Sequence, residues 1–385
     1  MSAVAESPVR IAAPDLSDEA LASVRDALAV HAPEADRTGD FPWAGIGIVH
    51  RAGLLGLGIG ARYGGPGLTA TDAVRVFRAL GAGDPAVALI TAMTVLQHDL
   101  QARAPWWPEE VYRRLVADSA ERPQLLNAIR AEPEWGAPAR GGLPATTIRR
   151  TADGWVLNGR KGFATGSEGL AYHLVWAATE DAEPLVAHAI VPADTAGVRI
   201  EKTWDHLGQR ATSTHDVVYT DVRLPVEAFD GRPATEQGAF PFVGGLAVPA
   251  LYVGVADAAA GWFVRFANER VPTSLGRPIA TTPNIRAAAG EIAAQLAIAD
   301  AVLSNAAAAV DRGDPAAGAL LAPVKLLGTR AAITAVQTAV AALGNAALTR
   351  RHPLERHLRD VLASRVHPPQ EDAALAALGV RLLAV

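Results

Sequence analysis

Trp155-Val156-Leu157-Asn158-Gly159-Arg160-Lys161-Gly162-Phe163-Ala164-Thr165-Gly166-Ser167 is the stretch whose reading decides the fold. Asp153-Gly154 in front of it is a turn signal, and Trp155-Val156-Leu157 reads as a short apolar strand. Asn158-Gly159 then predicts a two-residue hairpin turn, because both central positions of a type I′ turn need positive φ. A second strand leaves that turn and ends in Phe163-Ala164-Thr165-Gly166-Ser167. An aromatic, hydroxyls and a glycine at a strand end suit the face and edge of a planar heterocycle. The ring can pack, the hydroxyl can hydrogen-bond, and glycine lets the backbone approach. An ordinary hairpin carries the same residue types, so the flanking sequence has to decide.

Outward from this stretch the chain changes texture twice. Residues 15 to about 125 read as helices. Asp15-Leu16-Ser17-Asp18-Glu19 is a helix start, and Thr69 caps a helix over 70–81. After Asp84-Pro85 comes a helix over 86–100 that is apolar all round, and so buried, apart from Thr91, Thr94, Gln97, His98 and Asp99. The glycine-rich run Gly53 to Gly60 lacks the spacing and the preceding strand of a dinucleotide fingerprint. From about Leu125, short β-rich runs alternate with turns, which predicts a small antiparallel barrel or sandwich. From about Phe240 long Ala-rich helices with 3.6 periodicity predict a bundle. The expected fold class is α+β multidomain. An N-terminal helical domain covers 1–124, a central antiparallel β domain 125–235, and a C-terminal four-helix bundle 236–385.

Composition narrows the function. The 385 residues are half hydrophobic, enough for a large core, and the net charge of −5 offers no basic stripe for nucleic acid. With no cysteine there is no disulfide framework, thiolate metal site or Cys nucleophile, and no metal is expected. No basic-then-apolar leader and no uninterrupted run of 18 apolar residues occurs. A cytoplasmic protein without a membrane partner is the expectation.

Several stretches, in collinear order, resemble the acyl-CoA dehydrogenase superfamily of flavoproteins. Ala61-Arg62-Tyr63-Gly64-Gly65-Pro66-Gly67 looks like its YGG-x-G loop. Ala131-Glu132-Pro133, with the loop from Gly136 to Gly142, is similar to its T-E-P-x-x-G-S segment. Asn158 to Lys161 and Phe163 to Thr165 resemble N-G-x-K and the W-I-T strand. Trp204 to Thr212, followed by Val217 to Pro225, and Leu354-Glu355-Arg356 with Arg359-Asp360 match two further motifs. The resemblance implies a bound flavin, FAD or FMN, between the β domain and the bundle. It implies that Phe163 and Thr165 contact the ring, that Glu132 and the loop after it line the site, and that Ser167, Arg270 and Asn345 contribute to cofactor binding. Around Arg270 the family pattern is loose: Arg270-Val271-Pro272-Thr273-Ser274-Leu275-Gly276 has two extra residues and Leu275 in place of Phe. A homo-oligomer, tetramer or dimer, is implied as well.

One departure bears on the chemistry. A dehydrogenase of this family removes an α-proton with a glutamate placed eight residues after the R-D aspartate, which here is Pro368. Other members use a glutamate in the first helix of the bundle, yet Gly245 to Ala256 contains no acid. Losing a base costs about 10²–10⁴ in rate. The superfamily's other branch, similar to dibenzothiophene monooxygenase, lacks the glutamate and takes reduced flavin from a separate reductase. His98 and His367 resemble the two histidines of that branch, and imidazoles can hydrogen-bond and shuttle protons near neutral pH. The expectation is an O2-using monooxygenase acting on a small organic substrate. Against it stand an acyl-CoA dehydrogenase with a displaced base such as Glu371, and a non-catalytic flavin-binding or interaction protein. A histidine in an apolar helix is also what an ordinary core residue looks like.

Overall fold

The structure, a computed structural model, describes residues 13–134, 142–233 and 242–383. Five helices come first: α1 (Asp18–Thr38), α2 (Trp43–Arg51), α3 (Ala70–Gly83), α4 (Pro85–Arg103) and α5 (Glu109–Ser119). Their starts are chemically marked. Ser17 accepts from the N–H of Ala20, Thr69 from that of Asp72, and Asp84 from those of Ala86 and Val87.

The β domain is one eight-stranded sheet: β1 (Leu125–Ile129), β2 (Thr147–Thr151), β3 (Gly154–Ala164), β4 (Leu170–Thr179), β5 (Leu185–Pro192), β6 (Val198–Glu201), β7 (His215–Leu224) and β8 (Arg232–Pro233). The order is β6-β7-β3-β2-β4-β5-β8, with β1 paired to β4. The sheet is mixed, not purely antiparallel, because both β1 and β2 run parallel to β4.

The expected turn at Asn158-Gly159 is not there. β3 runs unbroken through it, and the hairpin turn lies earlier, where Thr151 pairs with Gly154. Asn158-Gly159 instead forms an irregularity in the β3–β7 pairing. Gly159 keeps a positive φ of 150°, and a Cβ there would lie 2.6 Å from Thr146 Oγ1. The Asn158 amide is spent on Asp221: its Oδ1 accepts from the Asp221 N–H at 2.8 Å and its Nδ2 donates to the carboxylate at 3.2 Å. The positive-φ signal was real, but neighbouring strands used it for a bulge, not a reversal.

The last part contains α6 (Phe242–Glu269), α7 (Pro283–Asp311), α8 (Ala317–Leu343), α9 (Asn345–Leu348), α10 (Leu354–Leu362) and α11 (Glu371–Leu383). By length and composition alone α6, α7 and α8 could each cross a membrane. A search for unbroken apolar runs overlooks this, because alanine-rich helices reach the threshold on average hydropathy. Here they pack as a bundle. Gly254 of α6 and Gly81 of α3 let those two helices cross closely: Cβ atoms added there would stand 2.0 Å from the carbonyls of Arg78 and Leu251. Arg78 and Asp257 pair across the same crossing at 2.6 Å. The N-terminal helices and the bundle therefore share one continuous core.

Candidate active site

Three chain segments meet at the end of β3. Phe163 is 57% exposed although it is a large aromatic, and its φ of 54° is left-handed. Its ring meets His206 edge-on at 6.3 Å between centroids, and His206 stacks on Trp204 at 3.6 Å. The result is an open shelf of rings on the β domain. Of the four non-glycine residues with positive φ among the described residues, three border it: Phe163, Gln209 and Ser213. Backbone strain of this kind persists where the surroundings enforce it, commonly at ligand sites.

Behind the shelf the polar groups are knitted together. Thr165 is buried and its carbonyl accepts from Asn127 Nδ2 at 3.0 Å. Its hydroxyl begins a chain, through Thr214 at 3.1 Å and on to Thr212 at 2.7 Å, which in turn reaches the Gln209 carbonyl at 2.8 Å. Ser167 donates to the Ser213 carbonyl at 2.7 Å. Thr165 and Ser167 thus fix the shape of the shelf, while Phe163 is the part left open.

Glu132 is also a structural clamp. Its carboxylate accepts from the N–H groups of Ala145 and Thr146, the Thr146 hydroxyl and the Lys161 ammonium, all at 2.8–2.9 Å. Burial raises its pKa, yet these hydrogen bonds outweigh burial and hold it below the ordinary carboxylate value. The expected lining loop from Gly136 lies outside the described residues as far as residue 141.

The Leu354–Asp360 motif ties the three segments together. Arg359 binds Asp36 of α1 at 2.6 Å and donates to the Leu207 carbonyl at 3.0 Å. Asp360 accepts the Gln209 N–H at 2.7 Å, and burial pushes its pKa up to about 7. Gly208 must be glycine at this seam, because a Cβ would lie 2.2 Å from the Arg359 carbonyl oxygen. Arg356 faces the buried Asp84 at the start of α4.

Beside this seam lies a pole of unpartnered polar groups. Both polar atoms of the Gln209 amide, and the Tyr252 hydroxyl of α6, are buried without a hydrogen-bond partner. The amide still influences the hydroxyl, although the two stop short of hydrogen-bond geometry. The His367 ring sits 5.6 Å from that of Tyr252. Burial, reinforced by the nearby Lys325, lowers the His367 pKa to about 4, so its imidazole is neutral. Sequence reasoning found His367 but missed Gln209, Tyr252 and Lys325. The available signal was a lone Tyr in the apolar run 245–256 and a lone Lys in Ala322-Pro323-Val324-Lys325-Leu326.

Other expected site residues lie elsewhere. His98 does not reach the shelf. Ile90 of α4 lies near Gly166 at the shelf, and His98 stands eight residues on, about 12 Å further along the helix axis. There its Nδ1 meets the Tyr112 hydroxyl at 2.8 Å, and burial lowers its pKa to about 4. It is a core histidine between α4 and α5. Arg270 and Asn345 are exposed just beyond the far ends of α6 and α8, about 27 Å and about 30 Å along those helices from Tyr252 and Lys325 respectively. They do not converge with the shelf within one chain. Glu371 is exposed and held by Arg330, which lowers its pKa.

Helical, β and helical domains meeting around an open ring shelf form the architecture of a flavin-dependent oxidoreductase. The shelf residues fit that cofactor: Phe163 offers an uncovered aromatic face and the 204–214 loop a strained, rigid edge. Three family models match: the acyl-CoA dehydrogenase N-terminal domain over residues 14–101, the middle domain over 128–222 and the C-terminal domain over 244–367. The putative acyl-CoA dehydrogenase YdbM of Bacillus subtilis is 33% identical, over 93% of this chain and 94% of that protein. Among solved structures, TdsC from Paenibacillus sp. A11-2 in complex with FMN and indole is 23% identical with a TM-score of 0.84, covering 95% of this chain and 96% of that one. Butyryl-CoA dehydrogenase from Megasphaera elsdenii is 22% identical with a TM-score of 0.83, covering 96% and 98%. The chain belongs to the acyl-CoA dehydrogenase family, and its cofactor is a flavin.

Proposed function

We propose that this protein is a monooxygenase that uses reduced flavin and dioxygen to oxidise a small organic substrate. One observation carries the reading: among the described residues, neither position where the family places its α-proton base holds a carboxylate. The run 245–256 of α6 has no acid, His367-Pro368 occupies the other position, and the displaced candidate Glu371 is exposed and bound to Arg330. When bound, the flavin supplies the electrons that activate dioxygen. The protein's own contribution is positional. Phe163 and the 204–214 loop seat the ring. His367, neutral at physiological pH, can donate or accept a hydrogen bond without bringing a charge.

A separate reductase supplying the reduced flavin fits this reading, as does a cytoplasmic location. FMN is favoured over FAD, because Arg270 is remote from the shelf in its own chain. The broad, little-buried face of α7 supports a homo-oligomer, dimer or tetramer. A second reading, acyl-CoA dehydrogenation, is favoured by the name of the Bacillus subtilis relative. Anaerobic mixing decides between them. Bleaching of the oxidised flavin by butyryl-CoA or octanoyl-CoA establishes the dehydrogenase. Oxygen-dependent product formation from reduced flavin, with no bleaching by acyl-CoA, establishes the oxygenase.

A further inference from the structure

The chain has only three lysines. Lys161 is fully buried and pairs with Glu132 at 2.8 Å, and Lys202 pairs with Glu168 at 2.7 Å on the surface. Lys325, on α8, is 3% exposed, yet it makes no ion pair and no side-chain hydrogen bond among the described residues. Lysine is almost never buried this far without a partner, because the ammonium loses its hydration and gains nothing in return. The one acid that acts on it, Glu371, is exposed and already held by Arg330. One turn from Lys325 and from Tyr252, α8 packs on α6, where a Cβ at Gly328 would lie 3.6 Å from that of Pro249; the His367 ring lies 5.6 Å from that of Tyr252, and Lys325 acts on its imidazole. The Tyr252 hydroxyl and the Gln209 amide are buried and unpartnered. One cation and several polar groups able to donate hydrogen bonds therefore gather beside the ring shelf, and the two carboxylates nearest them are already engaged, Asp360 by the Gln209 N–H and Glu371 by Arg330.

We propose that Lys325, His367 and Tyr252 form a subsite for the oxyanion of a small organic acid, a carboxylate or a sulfur oxyacid, which is the substrate. This deepens the oxygenase reading and rests on it for the bound acid being the substrate. An oxyanion would accept from the Tyr252 hydroxyl and the imidazole N–H, and supply Lys325 with its counter-ion. Gln209 stands on the β-domain side of Tyr252, so acid binding would join the bundle to the shelf.

The test is calorimetric titration of the flavin-loaded protein with acetate and methanesulfonate, each against its neutral counterpart, acetamide and dimethyl sulfone. Saturable 1:1 binding of at least one anion is expected, about tenfold or more tighter than its counterpart, as a charge-assisted hydrogen bond provides. Lys325→Met should abolish the preference and Lys325→Arg should retain it. Lys325→Met should also raise the melting temperature of the unliganded protein, since it removes an uncompensated charge. Equal binding of anions and neutral counterparts overturns the proposal. So does a Lys325→Met protein that is destabilised while the native protein shows no anion preference, because the lysine is then structural. If an oxygenase activity is found on neutral compounds with no anion preference, this subsite is refuted and the oxygenase reading stands. If anions bind and reduced flavin oxygenates none of them, the subsite stands and the oxygenase reading fails.

Discussion

Replacing Lys161 by methionine tests whether Glu132 holds the fold or touches the cofactor. The Lys161 side chain is 0% exposed and that of Glu132 5%, with 2.8 Å between them. The substitution leaves a buried carboxylate with three donors where it had four. Breaking a buried pair from one side costs about 3–5 kcal/mol. With an unfolding entropy of about 2.1 cal/mol/K per residue, the melting point should fall by about 4–6 °C if the whole chain unfolds together, and about threefold more if the β domain melts alone. Glu132→Gln should also destabilise, because it strands Lys161. The double variant should lie above the sum of the two by about 2 kcal/mol, the coupling of a direct pair. The pH dependence has a definite sign. Glu132 has a folded pKa below its ordinary 4.5, so its contribution is full above pH 4.5 and disappears as pH falls through the folded value. Scanning calorimetry of the three variants, with flavin binding measured in parallel, is the assay. A Lys161→Met protein that melts within a degree of wild type but no longer binds flavin would refute the clamp and return Glu132 to the cofactor.

Two further outcomes follow from the geometry. Gly208→Ala forces a Cβ to within 2.2 Å of the Arg359 carbonyl, so the 204–214 loop must lift from α10; a loss of about 1–3 kcal/mol and weaker flavin binding are expected, and unchanged flavin fluorescence titrations would contradict this. His98, His173, His188, His357 and His367 have pKa values lowered by burial to about 4, 4, 3, 3 and 4, below the ordinary 6.5, so their stabilising effect is full above pH 6.5 and is lost on acidification. Asp360, raised to about 7, works in the opposite direction and cancels one of the five. At about 1.4 kcal/mol per proton and pH unit, urea unfolding should show stability falling by about 5 kcal/mol between pH 6 and pH 5, and a flat profile would show that these imidazoles are not buried neutral.

The sequence by itself determined the order of helical, β and helical segments, since periodicities of 3.6 and 2 report which elements form wherever one face is buried. It also determined the family, because its motifs occur in collinear order. That neither position where the resemblance places a glutamate holds an acid is likewise a sequence fact, legible in Pro368 and in the acid-free run 245–256. Tertiary structure decided the rest. Asn158-Gly159 has the local chemistry of a turn, but hydrogen bonds to flanking strands outweigh local preference and hold it inside β3. His98 looked equivalent to His367, yet eight residues of helix carry it past the shelf and into a bond with Tyr112. The Lys325, His367 and Tyr252 cluster was beyond sequence reasoning for a related cause. Periodicity shows which face of each helix is apolar, but which helices those faces meet is fixed only when α6, α8 and the segment after α10 pack and bring three distant residues together.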